Sequence, residues 1–250
     1  SLAANINMQE FNQEKPNTII FDLDGTLRES VPGGDHFMLE YAQSLGVECS
    51  SECFLRARQW AHRYWASSEC LLMDQETYGK GEATFWENYA RRTLETIGAP
   101  AEQVKKLAPL LHAHMYENYR PQDTIPGDVF PTLTRLRDAG FTIGLLTNRT
   151  DPADEYLAQV GLEEHLEFFI SAGQVGVWKP DPEIFYYTMG VARSLPSQTI
   201  YIGDNYYADI VGARNVGMIP ILIDRDRIWD DADCQVIYEI GELTEILQLA

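Results

Sequence analysis

The sequence predicts an α/β protein: a parallel sheet with helices on both faces, interrupted by an inserted helical subdomain. Three observations carry this expectation. From Gly127 onward, short apolar runs alternate regularly with helical segments, as in repeated βα units with right-handed crossovers. Near the N-terminus, Thr18-Ile19-Ile20-Phe21 is apolar or β-branched throughout, the signature of a parallel strand buried on both faces. Between that strand and the next, near Phe141, lie roughly ninety residues of helical pattern, far more than a loop needs.

In the inserted block, helices are expected over Asp35 to Leu45, Ser51 to Ser67, Gly81 to Ile97 and Ala101 to Tyr119. Asp35 and Ser51 are suited to cap helix starts, and Gly46 and Gly98 to end helices. Cys70 to Lys80 is ambiguous, and hinges are expected at Arg28 to Gly34 and Arg120 to Gly127. In the α/β part, strands are expected at Phe141 to Thr147, Phe168 to Ser171, Thr199 to Gly203, Pro220 to Asp224 and Cys234 to Tyr238. The intervening helices run from Asp128 to Ala139, from Asp151-Pro152 to Val160, from Asp181-Pro182 onward, from Tyr206 to Val216 and from Glu242 to Leu249. These readings divide the chain into a lead-in (1–16), an α/β core (17–29 and 122–250) and a helical subdomain (30–121).

Bulk properties narrow the function. A length of 250 residues with 45% hydrophobic residues is ample for a core that folds without staples. The net charge of −19 makes a nucleic-acid backbone or an anionic membrane surface a poor partner. An anionic substrate would therefore need a locally positive site. The four cysteines, Cys49, Cys53, Cys70 and Cys234, show no paired zinc-type spacing and read as free thiols in a reducing cytoplasm. The first sixteen residues lack a continuous apolar run and read as neither signal peptide nor membrane anchor.

The candidate chemistry sits at strand ends. Asp22 and Asp24 follow the first strand two residues apart, so in extended backbone both carboxylates lean to one side with Cα atoms roughly 6.5 Å apart. An open α/β sheet holds its ligands in the crevice at that end, although an Asp-rich turn is the plain alternative. Thr147 and Asn148 close the second strand, where a hydroxyl and free amides could meet an anion. Lys179, between Trp178 and Pro180, projects from a loop just ahead of a helix as a fixed point charge for a phosphate or carboxylate. Asp204 ends a strand and Asp209 lies in the next turn of helix. Four carboxylates at neighbouring strand ends would repel one another, and a hard divalent cation resolves this, with all-oxygen ligation favouring magnesium over zinc.

Taken in order, Asp22-Leu23-Asp24-Gly25-Thr26, Thr147-Asn148, Lys179-Pro180-Asp181-Pro182 and Gly203-Asp204 with Asp209 resemble the four motifs of the haloacid dehalogenase superfamily. The similarity runs from about Asn17 to the end, and is to the group with a helical cap inserted after the first strand, the phosphoglycolate phosphatase-like group. The resemblance implies a Rossmann-like core and a magnesium-dependent phosphatase acting on a small phosphorylated metabolite. In such an enzyme Asp22 is the nucleophile that becomes an aspartyl phosphate, and Asp24 the general acid and base. Magnesium is bound by Asp22, the Asp24 carbonyl and Asp204, while Asp209 orients metal waters or Lys179. Thr147, Asn148 and Lys179 hold the phosphoryl oxygens. An aspartate at position 24 supplies the acid that a phosphate ester requires, which argues against dehalogenation. Lys80, Lys105 and Lys106 sit in no motif that would support phosphonate hydrolysis. A sugar phosphomutase, or a binding protein that kept the fold, are the alternatives. In the cap, Arg56 and Arg63 share one helix face and Arg58 and His62 another; with Arg28 they are candidates for substrate selection, beside the plainer reading of a solvated face with Trp60 and Trp65 in the cap core. A monomer or homodimer is expected.

Overall fold

The computed structural model describes residues 15–249, so the expected lead-in lies outside the described residues except for Lys15 and Pro16. The chain forms two compact units, one comprising residues up to Glu29 together with Ile125 onward, the other Ser30–Thr124. The strands are β1 (Thr18–Phe21), β2 (Glu29–Val31), β3 (Gln122–Thr124), β4 (Thr142–Thr147), β5 (Phe168–Ser171), β6 (Thr199–Gly203), β7 (Ile219–Ile223) and β8 (Gln235–Ile237). Six of them form one sheet in the order β5-β4-β1-β6-β7-β8, parallel throughout, while the short β2 and β3 pair with each other.

Strand β1 lies centrally because every one of its side chains is apolar or β-branched and buried. The period of two splits it between faces. Ile19 and Phe21 join Leu133, Leu136, Leu145, Ile202 and Leu243 in one layer of core, and Ile20 joins Leu146, Ile184, Phe185 and Tyr201 in the other. Phe21 stands in register with Leu145 of β4 and Ile202 of β6, so the residues just beyond these strands emerge side by side at the carboxyl edge. The parallel α/β architecture with helices on both faces is thus as the sequence predicts.

Local departures have physical causes. The helix expected over Tyr206 to Val216 opens as a π-helical turn (Tyr206–Val211) before a short α-helical one (Gly212–Asn215). Asn205 caps Tyr207 and Ala208, while the Asp209 carboxylate accepts the Asn205 N–H at 2.9 Å, and the wider turn accommodates this back-bonding. The helix anticipated from Asp151-Pro152 begins only at Asp154, and the final one is confined to Leu243–Ile246 after a 3-10 turn.

The second unit holds five helices among its described residues: α1 (Gly34–Ser44), α2 (Ser51–Trp65), α3 (Glu69–Tyr78), α4 (Ala83–Thr96) and α5 (Ala101–Asn118). Its own core includes Leu39, Phe85, Leu94 and Leu111, with Trp60 and Trp65 packed against it. Two expected caps are displaced by one or two residues. Gly33, not Asp35, precedes α1, leaving Asp35 to accept from Tyr89 at 2.9 Å; Ser50, not Ser51, caps α2 by accepting the Cys53 N–H. The ambiguous stretch is α3, capped by Ser68 and ended by Gly79. The free-thiol reading needs correction for two of the four cysteines. Cys49 and Cys53, spaced one turn apart across the α2 cap, are joined as a disulfide with Cα atoms 5.4 Å apart, whereas Cys70 and Cys234 are free. No helix among the described residues is long and apolar enough to cross a membrane.

Asp74 ties α3 to its neighbours. It is 2% exposed, receives Arg92 Nε and Nη2 at 2.5 and 2.7 Å, and accepts from Tyr64 at 2.9 Å. Burial pushes its carboxyl up, but hydrogen bonds from Arg92 and Tyr64 outweigh this and hold it below the usual 3.8. A carboxyl depressed in the folded state stabilises fully above its unfolded value, and this contribution is lost as pH falls through the folded one. Asp74→Asn is therefore expected to cost about 2 kcal/mol at neutral pH. In urea titrations the gap from wild type should narrow as pH falls below the usual carboxylate range and through the depressed folded-state value of Asp74, where the wild-type carboxyl is itself protonated.

Candidate active site

Asp22 is the first residue beyond β1, anchored by its N–H to the Ile202 carbonyl at 2.8 Å. The chain then turns back on itself, with Leu27 and Arg28 both donating to the Leu23 carbonyl. Gly25 makes the turn possible: its φ is +85°, and a Cβ there would run into the Asp204 carboxylate. Gly25→Ala is expected to destabilise by about 2 kcal/mol through strained backbone. It should also disturb Asp204, whose carboxylate occupies the space a Cβ would need, so a lower denaturation midpoint is expected in thermal melts.

Lys179 brings distant strand ends together. It is 2% exposed, and its ammonium donates to Asp22 Oδ1 at 2.8 Å, Asp209 Oδ1 at 2.6 Å and the Tyr201 hydroxyl at 3.0 Å. Three donors thus meet three acceptors. Its backbone is clamped by Asn148, whose Oδ1 accepts the Lys179 N–H at 2.8 Å and whose Nδ2 donates to the Lys179 carbonyl at 3.1 Å. Burial works against the lysine charge, yet Asp209 and Asp22 outweigh it and keep Lys179 protonated well above its ordinary range.

One lysine does not balance the carboxylates. An oxygen each from Asp22, Asp204 and Asp209 lies within 4.8 Å of the others. Burial first, then neighbouring negative charge, pushes Asp204 well above the carboxylate range. Burial pushes Asp22 to about 7, against Lys179 and with help from Asp209 and Asp24. Such a site is short of positive charge, and the hard, all-oxygen donor set suits magnesium. Asp209 is already committed to Lys179 and the Asn205 N–H, which leaves Asp22 and Asp204 better suited to face an ion.

Asp24 is held differently. Arg149 grips it with two bonds, Nε to Oδ2 and Nη2 to Oδ1, both 2.8 Å, and Arg28 adds a third at 2.9 Å. Burial pushes Asp24 up, but the hydrogen bonds and charge of Arg149, with the charge of Arg28, bring it below the usual range. Arg149 itself lies over the Tyr156 ring at 4.4 Å.

Asp22, Lys179, Asp204 and Asp209 therefore converge; Thr147 is buried at the end of β4, where its hydroxyl accepts the Arg149 N–H at 3.4 Å. Arg28 joins Asp24, whereas Arg56, His62 and Arg63 lie on α2 in the helical unit, with Arg56 in an exposed pair with Glu52. Sequence reasoning missed two participants. Tyr201 carries the one polar atom among the side chains of Ile200-Tyr201-Ile202, a signal for a buried partner. Arg149 follows Thr147-Asn148 at a strand's carboxyl edge, and only the adjacency of β4 to β1 reveals its partner.

The chain is similar to known proteins over most of its length. The haloacid dehalogenase-like hydrolase family matches residues 16–217. A phosphoserine phosphatase of Thermus thermophilus is 27% identical over 245 residues, spanning 91% of this chain and 96% of that one. A ribulose-1,5-bisphosphate 5-phosphatase of Halopiger xanaduensis is 27% identical over 244 residues, spanning 92% and 98%. Among solved structures, a 2-haloacid dehalogenase of Pseudomonas syringae aligns with a TM-score of 0.54 at 25% identity, over 93% of this chain and 98% of that one. With its parallel sheet, its inserted helical unit and its cluster of strand-end carboxylates about a lysine, the chain belongs to the haloacid dehalogenase-like hydrolase family.

Proposed function

We propose that the protein is a magnesium-dependent phosphatase that hydrolyses a small phosphorylated metabolite through an aspartyl phosphate on Asp22. The observation that carries this reading is the meeting of Asp22, Asp204 and Lys179 at one sheet edge. Its relatives' activities on phosphoserine and ribulose bisphosphate support the substrate class.

Asp22, Asp204 and the main-chain carbonyl of Asp24 would hold the ion, with Asp209 kept on Lys179. Bound magnesium would supply the positive charge that lets a carboxylate approach an anionic phosphoryl group. Lys179 engages Oδ1 of Asp22, and Oδ2 has no hydrogen bond among the described residues, which makes Oδ2 the attacking atom. It bonds to phosphorus as the ester P–O bond breaks, and Asp24 gives its proton to the departing alkoxide. Asp24 then takes a proton from water, whose oxygen attacks phosphorus and frees Asp22 with release of phosphate. Arg149 holds Asp24 ionised at rest, so protonation of Asp24 requires that grip to loosen. Thr147 would offer its hydroxyl to the phosphoryl oxygens and Lys179 the positive charge of its ammonium, while Asn148 fixes the loop that presents Lys179.

Hydrolysis of p-nitrophenyl phosphate in magnesium tests this. Chelation by EDTA should abolish it and restored magnesium should recover it. No phosphate release from a folded, magnesium-loaded sample, across a panel of phosphorylated metabolites, would contradict the reading.

A further inference from the structure

The helical unit contains a cavity of about 440 Å³ whose lining comes entirely from that unit. This is within the range of small-molecule sites, roughly 300–1,000 Å³. Aromatic rings dominate its wall: Trp65, Trp86, Tyr89, Tyr116 and Tyr119, with Asp35 the one carboxylate. Trp86 and Tyr116 are 42% and 77% exposed, so this aromatic surface is open to solvent as well as large.

Tyr89 is buried among its neighbours, whereas Trp86 is partly open. Trp65 and Trp86 meet at 41° with centroids 5.9 Å apart, Trp65 and Tyr89 at 45° and 5.2 Å, and Trp86 and Tyr89 at 82° and 6.1 Å. Trp86 and Tyr116, the exposed rings of this wall, offer a ligand aromatic surface whose faces carry negative potential. A short relay fixes the carboxylate among them: Trp65 Nε1 donates to the Tyr89 hydroxyl at 3.2 Å, which donates to Asp35 Oδ1 at 2.9 Å. Asp35 Oδ2 has no hydrogen bond among the described residues. Burial pushes the Asp35 carboxyl up; the Tyr89 bond and the charge of Arg58 only partly offset it. An under-compensated carboxylate beside ring faces favours a ligand that is positively charged yet weakly hydrated.

We propose that the cavity bounded by Asp35, Trp65, Trp86 and Tyr89 binds a small organic ammonium, its charge facing Asp35 and its alkyl groups against the rings. This goes beyond the phosphatase reading and does not depend on it, because binding requires neither metal nor phosphate. Arg58 is the competing cation, and His112 is the other titratable group on the wall besides the tyrosines.

The probe is choline, compared with its neutral isostere 3,3-dimethylbutan-1-ol, each titrated into the full chain by calorimetry and tryptophan fluorescence. Choline should bind saturably and at least about tenfold more tightly than the isostere. Asp35→Asn, which keeps an acceptor for Tyr89, and Trp86→Ala, at a partly exposed ring, should each weaken choline by about tenfold. Thermal melts of both variants check that the helical unit stays folded, and the comparison of the two probes on the unaltered protein decides the matter even if a variant does not. Equal affinity for the two probes would show that Arg58 already cancels Asp35 and overturn the proposal. Absence of saturable binding by choline would overturn it as well.

Discussion

Asp22→Asn is expected to lower turnover of p-nitrophenyl phosphate by about 10⁴-fold or more, the scale of loss when a nucleophile is removed. The amide is nearly the same shape, but it has no carboxylate oxygen to attack phosphorus. Folding should survive the change, because Lys179 keeps Asp209 and Tyr201 as partners. Loss of rate without loss of thermal stability is therefore the signature. Retained turnover would remove Asp22 from the chemistry, and a collapsed melting temperature would make it mainly structural.

Lys179→Met should have the opposite balance, with stability falling along with activity. Removing the ammonium leaves Asp22 and Asp209 buried without their cation. Breaking a buried ion pair from one side costs about 3–5 kcal/mol. For a chain of this size that corresponds to a fall in melting temperature of roughly 10 °C. Adding Asp209→Leu should recover part of the loss by removing one stranded charge, and a double-mutant cycle reads this coupling directly. Lys179→Arg should not rescue, because a planar fork cannot direct donors to three acceptors arranged about a single nitrogen.

Much of the candidate site is legible in the sequence, for a definable reason. Buried parallel strands announce themselves as apolar runs, and the polar residue that ends such a run must emerge at the carboxyl edge. Asp22, Thr147 and Asp204 follow from that rule, and Lys179 from the proline that bars it from a helix. What stayed hidden depends on which strands become neighbours. Arg149 is 125 positions from Asp24 and finds it because β4 lies beside β1. Tyr201 meets Lys179 for the same kind of reason. Helix α3 lacked a clear apolar stripe because its anchor is Asp74, an acid whose burial depends on Arg92 and Tyr64 elsewhere in the chain. The Cys49–Cys53 bond and the π-helical turn at Asp209 likewise follow from local geometry that residue types alone leave open.

The central claim is that Asp22 itself carries the phosphoryl group during turnover. Wild-type protein with magnesium and substrate, quenched in acid and digested, gives the most direct test. The peptide containing Asp22 should gain the mass of one phosphoryl group, and hydroxylamine should remove it as expected for an acyl phosphate. Steady release of phosphate with no such label, or with the label on another residue, would contradict the account.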